Sequence, residues 1–168
     1  MSAQSVLANE FLAEKRLAVV GVSHHPKDFS RGLFRELLRR GYDVVPVNPA
    51  RGEIEGLPCA ARVQDVSPPV AGALVMTRPQ VTEQVVRDCA EAGVARVWLH
   101  RGVGPGAVSR AAVDLCRQHG IAVIEGECPY MFLPASGFVH RAHGFFRRLS
   151  RGKRAQGTAP GAAAGGPA

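Results

Sequence analysis

The apolar positions of this chain fall into short continuous runs separated by amphipathic stretches and polar loops. The runs are Leu17–Val22, Tyr42–Val47, Ala71–Thr77, Ala95–Leu99 and Ile121–Glu125. Short runs of this kind, bounded by turn residues, predict strands buried on both faces. Between the first two runs, Leu33, Phe34, Leu37 and Leu38 recur at helical spacing, which predicts a helix capped by Ser30 and ended before Gly41. Pro79 suits a first helical turn, and Val81, Val85, Val86, Cys89 and Ala90 predict the buried face of a helix running to Ala92 and closed by Gly93. Further helices are expected within residues 1–16, packed through Phe11 and Leu12, and over about Ala107–His119. Ala50–Pro69 reads as irregular, with a short strand at Ile54–Leu57 and one helical turn at Val63–Val66.

Alternation of strands and helices predicts an α/β fold: Rossmann-like and doubly wound, with a mainly parallel five-stranded sheet and helices on both faces. Ligands of such sheets sit outside the carboxyl ends of the strands, where strand order reverses. The loops Ser23–Phe29, Asn48–Arg51, Thr77–Pro79, His100–Gly106 and Gly126–Tyr130 are then expected to face one crevice. Residues 1–134 read as one domain. Residues 135–151 read as a basic amphipathic helix, with Phe138, Phe145, Phe146 and Leu149 at roughly helical spacing. Residues 152–168 are low in complexity and read as a disordered tail.

Charge sharpens this division. The formal net charge is +7. Up to Pro134, Lys and Arg almost balance Asp and Glu, and after it six basic residues follow with no acid, so the domain is nearly neutral and the tail carries the basicity. A nucleic-acid partner finds no support in the domain itself. The four cysteines, Cys59, Cys89, Cys116 and Cys128, form no C-x-x-C pair, which removes the usual zinc and thioredoxin patterns. No apolar run is long enough to span a membrane, and MSAQSVLANEFLAEK has no apolar core of a signal peptide. A reduced, cytoplasmic protein is the expectation.

The first strand–loop–helix–strand unit, Leu17–Pro49, is the type that holds nucleotides at its first loop. It lacks G-x-G-x-x-G, and Asn48 stands where a nicotinamide-binding unit would carry an acid for the ribose. An NAD(P)-dependent oxidoreductase is therefore the alternative reading, beside an interaction module whose basic tail binds nucleic acid or membrane. Arg31, Arg51, Arg78 and Arg101 all lie at or near strand ends and predict a polyanionic ligand with several phosphates. His24 and His25 are expected to contribute hydrogen bonds from the loop, since no ligand pair at metal spacing accompanies them. Cys128 before Pro129 reads as a turn former, not a nucleophile, and no catalytic residue or metal ligand is assigned.

Gly21-Val22-Ser23, Val47-Asn48-Pro49, Thr77-Arg78-Pro79, Trp98-Leu99-His100-Arg101-Gly102-Val103 and Glu127-Cys128-Pro129, in this order, resemble the family of small bacterial single-domain CoA-binding proteins. They are also similar to the N-terminal domain of the succinyl-CoA synthetase α subunit. The resemblance covers roughly Glu14–Pro129 and implies a Rossmann-type sheet that binds coenzyme A or an acyl-CoA. It implies that Gly21, Ser23, His24 and His25 line the phosphate loop, with Ser30 and Arg31 at the helix start and Asn48 and Pro49 beside it. It further implies that Arg51 meets a nucleotide phosphate, that Arg78 and Pro79 flank the adenine or pantetheine path, and that Leu99, His100 and Arg101 border the thiol arm. Synthetase chemistry is not expected. The expected activity is CoA binding without catalysis, with a homo-oligomer or an acyl-CoA enzyme as conceivable further partner.

Overall fold

The computed structural model describes residues 2–102 and 106–134. The expected basic helix and tail, residues 135–168, lie outside the described residues. Helix α1 (Ala3–Ala13) is capped by the Ser2 hydroxyl, which accepts from the Ser5 N–H. Strand β1 (Arg16–Val20), helix α2 (Phe29–Arg39) and strand β2 (Asp43–Val47) follow, then a small hairpin of β3 (Glu53–Ile54) and β4 (Leu57–Pro58). A 3-10 turn at Val63–Asp65 leads to β5 (Gly72–Val75), α3 (Pro79–Glu91), β6 (Arg96–Leu99), α4 (Arg110–Gln118) and β7 (Ala122–Glu125). The described part ends in a 3-10 turn at Pro129–Met131.

Five strands pair in the order β2-β1-β5-β6-β7, and every pairing is parallel. Successive side chains along a strand point to opposite faces. Ala18 and Val20 of β1, Ala73 and Val75 of β5 and Val97 and Leu99 of β6 share one core with Val86 and Cys89 of α3 and Val113 and Cys116 of α4. Leu17 and Val19, Leu74, Trp98 and Ile124 face the other way, onto Ala8 and Phe11 of α1 and Leu33, Phe34 and Leu37 of α2. The sheet is thus covered on both faces, which is why its strands read as continuous apolar runs. Trp98 anchors the second core. Its ring meets Phe11 and Phe132 edge-on at 5.4 and 5.6 Å, and its indole N–H donates to the Glu127 carbonyl at 2.9 Å.

Four local expectations are corrected. Helix α2 is capped by Asp28, not Ser30, because the Asp28 carboxylate accepts the Ser30 N–H. Ile54–Leu57 is not a strand but a hairpin: Glu55 and Gly56 both have positive φ, 53° and 74°, the two-residue turn whose twist suits paired strands. Val81 does not belong to the buried face of α3. It is half exposed, and Thr82, Val86, Asp88 and Cys89 point inward instead. Helix α4 begins at Arg110, where Ser109 caps it, and not at Ala107. Among the described residues no helix is long and apolar enough to cross a membrane.

Candidate functional site

From β1 the chain moves outward to β2, then returns across β1 to build β5 on its other side. Strand order therefore reverses between β1 and β5, and the loops leaving their carboxyl ends diverge there. Backbone pairing holds the rim together up to this point: the Gly21 N–H donates to the Val47 carbonyl, and the Met76 N–H to the Val20 carbonyl, both at 2.9 Å. Gly21 has φ +86°, and a Cβ at this position would lie 3.0 Å from the Thr77 methyl and 3.1 Å from the Met76 carbonyl carbon and oxygen. The two divergent chains touch here because residue 21 has no side chain.

A cleft of about 480 Å³ opens above this contact. The first loop and the start of α2 contribute Gly21, Ser23, Asp28, Phe29 and Ser30 to its walls. Met76, Thr77, Arg78 and Val81, from the end of β5 and the start of α3, form the opposite wall, and His100 and Gly102 close the third side. Both α2 and α3 thus begin at the cleft, and their first turns face it with the positive end of the helix dipole.

The first loop is internally hydrogen-bonded. Asp28 accepts from both the N–H and the hydroxyl of Ser30. The Ser30 hydroxyl oxygen accepts the Ser23 N–H at 2.9 Å, and the Ser23 hydroxyl accepts the His25 N–H at 3.0 Å. Arg31 turns away from the cleft: it pairs with Glu55 at 2.7 Å and donates to the carbonyls of Ser23 and His24 at 3.3 and 3.1 Å. Glu55 also takes Arg35, and these two arginines, Arg31 first, hold its carboxyl below the usual range against the opposing effect of desolvation. Asn48 braces the neighbouring loop by donating from Nδ2 to the Val22 carbonyl and accepting the Ala50 N–H, each at 2.9 Å.

The predicted site residues divide accordingly. Gly21, Ser23, Ser30, Arg78 and His100 line the cleft together. His24 and His25 are exposed on the loop outside its walls, and His25 Nδ1 accepts the Lys27 N–H. Pro49 and Arg51 sit on an exposed turn beyond the walls, with Arg51 at φ 56°. Pro79 is the first residue of α3, adjoining the lining but not part of it. Leu99 is fully buried in the core between the sheet and α3 and α4, so its side chain does not border the cleft. Arg101 is exposed and lies against Gly126. Of the four arginines expected at one mouth, only Arg78 lines it.

Of the remaining wall residues, Asp28, Phe29, Thr77 and Gly102 lie in loops expected to face the crevice, whereas Met76 and Val81 lie outside those loops. One signal was present: Phe29 and Val81 are large apolar residues in first helical turns, and both are left exposed, at 43% and 50%. Phe29 stacks on His100 with ring centroids 5.1 Å apart and meets Tyr130 edge-on at 5.8 Å. His100 is only 6% exposed, its Nε2 has no hydrogen-bond partner among the described residues, and burial pushes its pKa down. Desolvation likewise pushes the Cys128 thiol up, which opposes thiolate formation there.

A ligand cleft at the strand-order reversal of a parallel sheet, flanked by two helix N-termini, is the hallmark of a Rossmann-type binding domain. The CoA binding domain model matches residues 15–134, and the chain belongs to that family. YneT of Bacillus subtilis (strain 168) is 26% identical over 114 residues, 68% of this chain and 82% of YneT. The α subunit of the ADP-forming acetate–CoA ligase II of Pyrococcus furiosus is 24% identical over 125 residues, 70% of this chain but 27% of that subunit. Among solved structures, a conserved hypothetical protein from Pyrococcus furiosus superposes with a TM-score of 0.62 at 30% identity, covering 68% of this chain and 95% of its own.

Proposed function

We propose that this protein binds coenzyme A or an acyl-CoA in the cleft at the carboxyl ends of β1 and β5, and performs no chemistry on it. The observation that carries this reading is the cleft itself, seated at the β1–β5 reversal with the bare backbone of Gly21 at its base. Family membership supports CoA as the ligand class. The match to part of an acetate–CoA ligase subunit supports a role beside acyl-CoA metabolism. Against a nicotinamide cofactor stands Asn48, whose side chain is committed to Val22 and Ala50 and offers no acid to a ribose.

The absence of catalysis is argued from the walls. Ser30 bonds Asp28 with no histidine between them, and Thr77 bonds Thr82. Neither hydroxyl is hydrogen-bonded to a histidine, and the one carboxylate partner, Asp28, is engaged in capping α2. Burial pushes the Cys128 thiol pKa up, which opposes formation of a nucleophilic thiolate. Calorimetry and thermal shift with CoA, acetyl-CoA, NAD and NADP test the assignment. CoA at ~100-fold above its Kd stabilises the fold by ~2.7 kcal/mol. Stronger binding of NADP than of CoA defeats the ligand assignment, and hydrolysis of acetyl-CoA by the purified chain defeats the non-catalytic one.

A further inference from the structure

Strands β2 and β7 form the two edges of the sheet. Backbone groups of successive residues in a strand point alternately to one neighbour and away from it. In β7 the Ala122 N–H donates to the Ala95 carbonyl and the Gly126 N–H to the Leu99 carbonyl, both towards β6. Val123 and Glu125 therefore turn their N–H and C=O groups outward. In β2 the Asp43 N–H donates to the Lys15 carbonyl, and the Val47 carbonyl accepts the Gly21 N–H, so Pro46 and Asn48 are the residues that turn outward. Such outward rows are templates for another chain unless something blunts them.

Both edges are closed by the same pair of hydrogen bonds. At β2 the closing group is backbone: the Ala60 N–H donates to the Pro46 carbonyl at 3.0 Å, and the Ala60 carbonyl accepts the Asn48 N–H at 2.9 Å. Pro46 has no N–H, which blunts this edge further. At β7 the closing group is a side chain. Gln4 donates from Nε2 to the Val123 carbonyl at 3.3 Å, and its Oε1 accepts the Glu125 N–H at 2.9 Å. Its carboxamide thus makes the two bonds that one residue of a sixth parallel strand would make. Gln4 lies in the first turn of α1, whose start is pinned by the Ser2 cap, and α1 packs under the sheet through Ala8 and Phe11. Arg117 adds charge to the same edge by pairing with Glu125 at 2.8 Å.

We propose that the β7 edge is a strand-addition surface held shut by Gln4, and that the occupant Gln4 excludes is β7 of a second copy of this chain. The edge is self-complementary. Two β7 strands run antiparallel about a two-fold axis at Ile124 would pair Val123 of one copy with Glu125 of the other, and the reverse, so that every outward backbone group finds a partner. Each Glu125 side chain would then lie opposite a valine and not opposite a like charge. The strand, Ala122–Glu125, is otherwise apolar, which suits pairing. No β7 residue lines the cleft, so the role of Gln4 does not depend on which ligand binds there.

Hydrogen exchange by NMR and sedimentation velocity of the full chain test this. In the parent, the Glu125 amide is expected to exchange slowly and at a rate independent of protein concentration. Gln4→Ala keeps a good helix former in α1 and removes the carboxamide. In dilute solution its Glu125 amide should exchange roughly tenfold faster, the loss of about one hydrogen bond. As concentration rises from micromolar to millimolar, a species of twice the parent's mass should appear and the protection of Glu125 should return with it. Adding Glu125→Pro to Gln4→Ala removes the outward N–H and should abolish the heavier species. Fast exchange of Glu125 in the parent overturns the proposal without recourse to any variant. So does a Gln4→Ala protein that gains no mass at millimolar concentration, or a heavier species that survives Glu125→Pro.

Discussion

Gly21→Ala perturbs the fold and the cleft at one point, and its cost can be worked from the geometry. Residue 21 holds φ +86°, a conformation that costs a residue with a Cβ about 1–2 kcal/mol. The added methyl would stand 3.0 Å from the Thr77 Cγ2 and 3.1 Å from the Met76 carbonyl group. Thr77 can shift its methyl, but the Met76 backbone is tied to β1 through its N–H bond to Val20. Forcing such a contact apart adds about 1–3 kcal/mol. The sum is about 2–5 kcal/mol, or roughly 5–20 °C in Tm for a domain of this size. Urea unfolding followed by far-UV circular dichroism measures it. Thr77→Ser isolates the side-chain share, because it removes Cγ2 and keeps the hydroxyl that bonds Thr82. In the double variant, about 1 kcal/mol should return and the backbone clash should remain. The same methyl lies at the base of the cleft, so residual folded Gly21→Ala should also bind CoA more weakly. A single variant within about 0.5 kcal/mol of the parent would show that β1 and β5 do not meet at this residue, and the site built on their junction would fall with it.

Other consequences are simpler to check. Hydrogen bonding to Arg39, then to Arg40, brings the Glu36 carboxyl down from 4.5 to about 2, against desolvation. A depressed folded pKa gives stability that is full above about 4.5 and lost as pH falls towards about 2, so Glu36→Gln should flatten the acid limb of the stability curve, and an unchanged limb refutes the pairing. Desolvation pushes the Cys89 thiol up to about 12 and the Cys116 thiol up to about 11. A disulfide-exchange reagent at neutral pH should therefore label Cys59 and Cys128 first and reach Cys89 and Cys116 only on unfolding, and early labelling of either buried pair member counts against the described core. Trp98→Phe leaves the Glu127 carbonyl without its indole donor and should cost about 1–3 kcal/mol in urea unfolding, whereas a neutral result removes that bond from the account.

The sheet was legible because its strands are buried on both faces, so each appears as an apolar run, broken only near the start by Asp43 in one and Arg96 in another. The order of those runs and helices led directly to the parallel sheet and to the crevice at its carboxyl ends. The walls of that crevice were less legible, for two physical reasons. Helical periodicity marks an apolar face but not what the face meets, so Val81 looked like core when it lines a cleft. Ion pairing is a long-range property. Arg31 meets Glu55 across 24 residues of sequence, and nothing local distinguishes a paired arginine from one that awaits a phosphate. Whether Asp28 or Ser30 caps α2 depends on loop geometry that neither residue reveals alone.

The small β3–β4 hairpin gives this pairing its structural meaning. Its turn places Glu55 at φ 53°, where glycine would be the cheaper residue. What this position provides is a carboxylate that reaches two arginines of α2, at 2.7 Å to each. Through Arg31 it also fixes the carbonyls of Ser23 and His24. A hairpin with only two residues in each strand thus fastens the first loop from behind, while Asp28 and Ser30 fasten it from the helix side. A loop held from both sides loses its conformational freedom on folding, so a ligand does not have to order it again. Rigidity and donor supply trade against each other here: each amide used to hold the loop is one fewer to offer an anion. On the α3 side the first turn also spends its amides, since Pro79 has no N–H and the Val81 N–H donates to the Arg78 carbonyl, and what faces the cleft is the Arg78 guanidinium and Nε2 of His100, neither with a hydrogen-bond partner among the described residues. One wall is thus fixed in shape by its own hydrogen bonds and the other presents the side chains of Arg78 and His100, so the number of arginines near strand ends does not measure how polar the cleft is.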